Sequence, residues 1–432
     1  MIIFIIRRFF TLLITLLLVS IIVFAITEAS PGNLARNVLG PFVTPEQEKS
    51  FIDQMGLDEP AYVRYLYWLF GSDMYAQHKT KQGLVRIKTE DGFFEWWVKS
   101  EDGHLLRWKL EGEDLIAVDK DQNGVLTEYV DNERWEEGEG GVRRFWGVDK
   151  QNNAVLWEKG SETISWTFVV GTGWLKTTGG PLDYIPLKKG FVRGDPGVSL
   201  RTGRPVSKSL FIRFRNSLVL AGIAFIIVMP LALALGIVAG TREGSIRDRV
   251  LSIGGIMFSV TPEFATGIFL IMIVSVWLRL VPGATVFGEL APWERPEMLI
   301  LPVLTLTLVE LGYVLRITRA SMVEVMRAPY IRTAYLKGLT SARVILIHAI
   351  KNALVAPITV IMLHINWLLG GIVIVEVVFG YPGLGKYLLE SALYKDVNAL
   401  EAGTMIMVLV AVLSQLIADI IYTFLNPKIR YE

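Results

Sequence analysis

YIRTAYLKGLTSARVILIHAIKNALVAPIT, residues 330–359, lies between two strongly apolar runs, and the side of a membrane it faces decides how the whole chain is threaded. It carries Arg332, Lys337, Arg343, His348 and Lys351 and no acidic residue. Helical patterns on either side meet at Gly338, a residue type that tolerates backbone dihedrals other residues avoid.

Outward from this segment, apolar runs occupy Ser217–Ala239, Leu251–Leu280, Met298–Ile317, Thr359–Phe379 and Ala402–Leu425. A sixth, Phe9–Thr27, has 19 uncharged residues, close to the ~20 that cross a bilayer core. Alone it would also fit a cleavable signal peptide, but the five later runs favour a retained span. The chain of 432 residues is 52% hydrophobic, with the apolar residues in long blocks, which a soluble protein rarely shows. It has no cysteine, which excludes disulfides, thiolate metal sites and a cysteine nucleophile.

Charge sets the threading. Residues 241–250 hold Arg242, Arg247 and Arg249, and residues 316–351 hold Arg316, Arg319, Arg327, Arg332, Lys337, Arg343 and Lys351. The intervening 282–297 holds Glu289, Glu294 and Glu297 against Arg295. Cytoplasmic loops are enriched in Lys and Arg, so 241–250, 316–357 and both termini are expected in the cytoplasm, and 28–216 outside. The expected fold is a polytopic α-helical membrane protein of six transmembrane helices with an inserted, mainly-β extracytoplasmic domain. Its parts are 1–71 (first span and interfacial helices), 72–190 (the insert) and 191–432 (a five-helix core).

The insert changes texture. Turn pairs Asp91-Gly92, Asp102-Gly103, Asn123-Gly124 and Asn152-Asn153 separate short aromatic strands, and eight of the twelve tryptophans fall here. This predicts a hairpin meander closing into a sandwich, barrel or partial propeller. The tryptophans are expected as core, with a sugar- or peptide-binding aromatic surface as the sharper alternative. Asp119, Asp121 and Asn123 resemble the start of a calcium loop, but Val130 stands where its bidentate Glu belongs, so a hairpin turn is the better account.

Three further patterns bear on chemistry. Gly380 to Tyr387, GYPGLGKY, nearly fits the phosphate-cradling P-loop, but Tyr387 replaces the magnesium-binding hydroxyl, and the expected topology puts it outside. Glu263, Glu310, Glu376 and Asp419 sit in or near apolar runs. Intramembrane acids are expensive and mark functional paths or buried pairs, so Glu310, Asn366 and Glu376 are candidates for a translocation path. The four histidines are scattered, and neither HEXXH nor GxSxG occurs, which leaves a membrane protease or metal enzyme without support.

The basic segment, TAYLKGLTSARVILIHAIKNALVAP, resembles the cytoplasmic loop of ABC-importer permeases of the dipeptide, oligopeptide and nickel type. The general loop pattern E-A-A-x3-G is met at Ala334 and Gly338, while Arg332 replaces its Glu and Thr333 its first Ala. The peptide branch has its own form, followed here by Lys337, Gly338, Leu339, His348, Asn352 and Ala353. IIRRFFTLLITLLLVSIIVFAI, TPEQEKSFIDQMGLDEPAYVRYLYWLFG, RGDPGVSLRTGRPV, GGIVIVEVVFGYPGLGKYLLESALYKD and ADIIYTFLNPKIRY match the same branch in order. The likeness covers 1–71 and 191–432. Members usually run from the YLxWL helix almost directly into GDxGxSL, so 72–190 interrupts that join.

The resemblance implies a permease subunit of the prokaryotic cytoplasmic (inner) membrane, itself not an enzyme. Its implied partners are a second homologous permease, two ATPase subunits and an extracytoplasmic substrate-binding protein, with no nucleic acid. ATP and magnesium would be bound by the ATPases, and this chain would need no cofactor of its own. Arg332, Thr333, Ala334, Lys337, Gly338, Leu339, Arg343, His348 and Asn352 would form the ATPase-docking loop. Di- or oligopeptides are the expected cargo, nickel or sugars the alternative. A proton-coupled secondary transporter using Glu310, Glu376 and Asp419 is the competing class.

Overall fold

Thr44 is a helix cap in full. Its hydroxyl accepts the Gln47 N–H at 3.3 Å, and the Gln47 side chain accepts the Thr44 N–H at 3.0 Å, the reciprocal box that satisfies two orphan donors. Pro45 supplies the first helical position, and Gly56 ends the helix in the left-handed region.

The structure, a computed structural model, describes residues 2–29, 34–160, 162–169, 173–287 and 291–425, with side chains at 2–5, 8, 168, 169, 173, 362–370 and 419–425 outside that set. Helices α1 (Ile2–Ala29), α2 (Leu34–Leu39), α3 (Pro45–Met55), α4 (Ala61–Phe70) and α5 (Asp73–Thr80) come first. Strands follow: β1 (Leu84–Lys88), β2 (Phe94–Lys99), β3 (Leu105–Glu111), β4 (Asp114–Lys120), β5 (Leu126–Val130), β6 (Glu136–Glu137), β7 (Arg143–Val148), β8 (Asn153–Lys159), β9 (Thr163–Val169), β10 (Gly173–Gly179) and β11 (Asp183–Pro186). Then come α6 (Val206–Thr241), α7 (Ile246–Val260), α8 (Glu263–Leu270), α9 (Ile300–Met326), α10 (Pro329–Leu336), α11 (Ser341–Arg343), α12 (Ile350–Ala353), α13 (Val355–Phe379), α14 (Leu384–Leu393) and α15 (Val397–Leu425). The chain forms two compact units, one of Met1–Ser20, Leu210–Glu390 and Gly403–Glu432, the other of Ile21–Ser209 and Ser391–Ala402.

The first unit is helical. Among the described residues four helices are long and apolar enough to span a bilayer, within Phe9–Ala29, Val206–Thr241, Pro296–Met326 and Val397–Ala418. Three bent pairs raise the number to as many as seven. One bend corrects an expectation. Leu251–Leu280 reads as one long span, but α7 and α8 meet at 107°. Thr261 there is extended, φ −75° and ψ 125°, because the ring of Pro262 excludes the helical region for the residue before it. Helices α7 and α9 pack closely through Gly255 and Gly312; a Cβ on Gly312 would collide with the Gly255 carbonyl and the Ser259 hydroxyl. Small residues that let backbones approach are the usual contact between membrane helices.

The second unit holds the sheets. Strands β1 to β5 form an antiparallel meander, β11-β8-β7-β6 a second sheet, and β9 pairs with β10. Leu84, Trp96, Leu106, Trp108 and Leu115 of the first sheet share one apolar core with Phe145, Val155, Trp157 and Ile185 of the second, which makes the pair a sandwich. Trp96, Trp97, Trp108, Trp135 and Trp157 are buried, so the tryptophans chiefly pack. The predicted turns are in place: Gly92, Gly103, Gly124 and Asn152 all have positive φ, as tight hairpins require. Residues 73–80 are helical rather than extended.

The ends of the inserted stretch meet. Ser72 N–H donates to the Lys188 carbonyl at 2.9 Å, and Lys188 N–H donates back to the Ser72 hydroxyl at 3.1 Å. Arg193 pairs with Asp73 and donates to the Phe70 carbonyl at 2.8 Å. Gly190 lies so close to Gly71 that a Cβ would strike the Gly71 nitrogen. Trp68 stacks on Phe191 with centroids 5.0 Å apart. The GDPGVSL stretch is knitted to the start of α15 within the same unit: Asp396, the residue before that helix, accepts from the Ser199 hydroxyl and from Leu200 N–H at 3.1 Å, and Asn398 donates to the Val198 carbonyl at 2.8 Å.

Candidate docking segment and intramembrane acids

Pro329 at the first position of α10 starts a short helix, and Gly338 ends it. Gly338 has φ +78°. Its N–H donates to the Tyr335 carbonyl at 2.9 Å, and Leu339 N–H donates to the Ala334 carbonyl at 3.3 Å. Together these make a Schellman turn, whose companion is an apolar contact between the residue after the glycine and the helix's last turn. Ala334 and Leu339 supply it, packing in one cluster with Met322, Ile331, Val344, Ala349 and Ala353. Nothing lies within 4 Å of a Cβ placed on Gly338. Within this chain the glycine is therefore required by its left-handed dihedral.

The chain beyond Gly338 returns through α11, a π-helical turn over Val344–Ala349, and α12. Asn352 donates to the Tyr330 hydroxyl at 2.9 Å, which ties α12 to α10. Arg332, Thr333, Lys337, Gly338, Arg343 and Asn352 are exposed, His348 is half-buried and Ala334 is buried. Arg332, Lys337, Arg343 and Lys351 make no ion pair among the described residues. Two other basic residues do. Arg319 is held by Asp248 with a bond of 2.8 Å from Nη2, and Arg327 meets Glu243 at 2.6 Å. Those two brace the 241–250 turn against α9, which leaves the basic surface to the segment around Gly338.

The expected docking residues omit an apolar patch. Leu336 is 79% exposed and Leu346 67%, with Tyr335 and Ile347 also exposed. An exposed patch of this kind marks an interaction surface. The signal is present in the helix period: Ile331 and Ala334 form the inward stripe of α10, so Tyr335 and Leu336 fall off it.

The candidate path residues lie on two helices, Glu310 on α9 and Asn366 and Glu376 on α13. Glu310 is buried on α9. The side chain of Asn366 lies outside the described residues, as does that of Asp419. Glu376 is fully buried on α13, but its carboxylate is taken up locally. It accepts from the Ser217 hydroxyl on α6 and from Lys386 N–H at 3.1 Å, and Ser217 in turn accepts Leu384 N–H at 2.7 Å. Asn216 donates to the Pro382 carbonyl at 3.0 Å and accepts from the Tyr381 hydroxyl at 2.8 Å. GYPGLGK thus does present a helix-start N–H to an acidic group, and that group is the carboxyl of this chain's own Glu376.

The calcium-loop candidates serve the insert's hairpin. Asp121 Oδ1 accepts Asn123 N–H and Val125 N–H, both at 2.8 Å, an Asx turn. Asp119 of β4 pairs at 3.0 Å with His104, the residue before β3, and that hydrogen bond favours the imidazolium and raises the His104 pKa above the usual histidine range.

Comparison with known proteins finds two family models on the chain. Residues 232–431 match the binding-protein-dependent transport system inner membrane component, and residues 1–85 match the N-terminal part of the same kind of membrane component. The chain is 32% identical over 273 residues to the dipeptide transport system permease protein DppB of Escherichia coli K12, covering 58% of this chain and 80% of that one. It is 34% identical over 254 residues to the oligopeptide transport system permease protein AppB of Bacillus subtilis 168, at the same coverages. It is 36% identical over 244 residues to the glutathione transport system permease protein GsiC of Shigella flexneri serotype 5b, covering 56% and 76%.

Proposed function

This chain belongs to the binding-protein-dependent transport system inner membrane components, and from that premise we propose that it forms, with a second permease subunit, the path of an importer of di- or oligopeptides. It is the non-catalytic transport component of an ABC importer of the peptide and glutathione type. Two ATPase subunits below it bind ATP and magnesium, and a substrate-binding protein delivers cargo from outside. We take the chain to cross the membrane six times, with both termini and 316–357 in the cytoplasm and the sandwich outside, as the loop charges favour.

The observation that carries the reading is the docking segment. Tyr335, Leu336, Leu346 and Ile347 offer apolar contact, while Arg332, Lys337 and Arg343 stand free around them to orient an acidic groove. The Schellman turn makes the segment stiff enough to pass ATPase closure to the α9 and α13 helices that flank it, as rigid-body motion. The competing proton-coupled reading would use Glu376, whose carboxyl binds the Ser217 hydroxyl and Lys386 N–H.

The test is co-purification with the ATPase and ATP-driven uptake in vesicles. Gly338→Pro, which forces φ negative, is expected to abolish both. Gly338→Asn, which tolerates the left-handed region, is expected to retain them. Uptake that persists without ATPase would overturn the importer reading in favour of proton coupling.

A further inference from the structure

Every residue of β5 is exposed. Val125 is 56%, Leu126 59% and Val130 58% exposed, with Tyr129 also open. β5 closes one side of the five-stranded sheet and pairs with β4 alone. One line of its backbone donors and acceptors therefore has no strand partner among the described residues, which makes it a template for a further strand. Natural edges are usually guarded by lysine, proline or a bulge. The sequence LTEYV has no lysine or proline, and its register with β4 runs unbroken from Leu126 to Val130. Its one charge, Glu128, is drawn back to Lys109 at 2.7 Å.

The surroundings say what the edge accepts. Residues 111–139 contain eleven acidic and two basic side chains, a net charge of −9. Glu133, Glu136, Glu137 and Glu139 are exposed and make no ion pair among the described residues. Pairing with a second copy is disfavoured. A symmetric antiparallel ladder centred on Glu128 sets Glu128 against Glu128 and brings two acidic stretches together, and like charges opposite one another destabilise. An anionic membrane surface is repelled by the same field. A short free peptide would gain only a few ladder bonds, each of small net worth in water, and would lose its chain entropy on binding. A strand already fixed in a folded partner loses little.

We propose that β5 is a docking edge on which a basic, extended segment of the extracytoplasmic substrate-binding protein adds as the next strand. This rests on the importer reading above. Leu126 and Val130 share one face of the added ladder, Tyr129 lies on the other, and the acidic rim steers the approach.

The experiment measures binding of the cognate substrate-binding protein to the full permease–ATPase complex in nanodiscs. Leu126→Lys with Val130→Lys should weaken binding about tenfold or more, since it guards the edge and removes its apolar face. Glu133→Lys with Glu136→Lys and Glu137→Lys should slow association and flatten its salt dependence. All five positions are exposed, so tryptophan fluorescence of the insert should be unchanged. Equal binding by the lysine pair and the wild type overturns the proposal. So does displacement of the binding protein by a free basic peptide, or concentration-dependent self-association of the wild type that the lysine pair abolishes. ATP-driven uptake, measured in parallel, tests the importer reading separately: uptake with unaffected binding removes the docking edge alone.

Discussion

Gly338 and Asp149 show what one position can and cannot announce. The glycine announces itself, because a positive φ between two helical patterns has few other solutions. Asp149 does not. It lies in the Asn152-Asn153 hairpin, where its Oδ1 accepts Gln151 N–H at 2.9 Å and Asn153 N–H at 2.8 Å while Arg107 binds its main-chain carbonyl. Burial pushes its carboxyl up to about 6 against those bonds. A raised acid binds its proton more tightly when folded. Its contribution to stability is therefore full below the ordinary carboxylate value of about 4, and is lost as pH rises through about 6. The insert's urea midpoint, read by tryptophan fluorescence, should fall between those limits in the wild type more steeply than in Asp149→Asn. Identical slopes in the two proteins would refute the assignment.

At the scale of elements, the sequence pattern was a good guide to existence and a poor one to shape. GYPGLGK was legible as a near match to a phosphate cradle, and that likeness has a physical basis in Lys386 N–H, which binds Glu376, and Leu384 N–H, which binds Ser217. That the cradle holds Glu376 was not legible, because Glu376 and Ser217 are 159 positions apart in the chain. Leu251–Leu280 was legible as apolar, yet Pro262 folds it back by 107°. The α7 and α9 contact makes a sharp test of close packing. Gly312→Ala puts a methyl group into the Gly255 backbone, whereas Gly254→Ala meets open space. Gly312→Ala should cost about 1–3 kcal/mol and lower the thermal unfolding temperature in detergent. Gly254→Ala should change it little; equal effects would mean the helices can part.

For the whole molecule, the decisive feature is the closed neck of the inserted stretch. Gly71 and Gly190 touch, and Ser72, Asp73, Lys188 and Arg193 bind one another across it. A chain that leaves and returns at one point can lose the intervening residues without stretching what remains. Deleting 72–189 and joining Gly71 to Gly190 should therefore leave ATPase co-purification intact while weakening the binding-protein interaction, measured on the same complex. Loss of the ATPase would show that the insert supports the helical core. The sequence by itself determined the apolar runs, the basic loops, the turns of the meander, the break at Gly338 and the family motifs. All of these are local in chain or periodic, so propensity, hydropathy and charge suffice to reveal them. Only the tertiary structure decided that two sheets share one tryptophan-rich core, that Glu376 is consumed by a helix start, that the insert's ends meet, and that β5 is left open. Each depends on which distant groups bury one another, a choice made by the whole chain's packing and hydrogen-bond satisfaction and written in no single stretch of it.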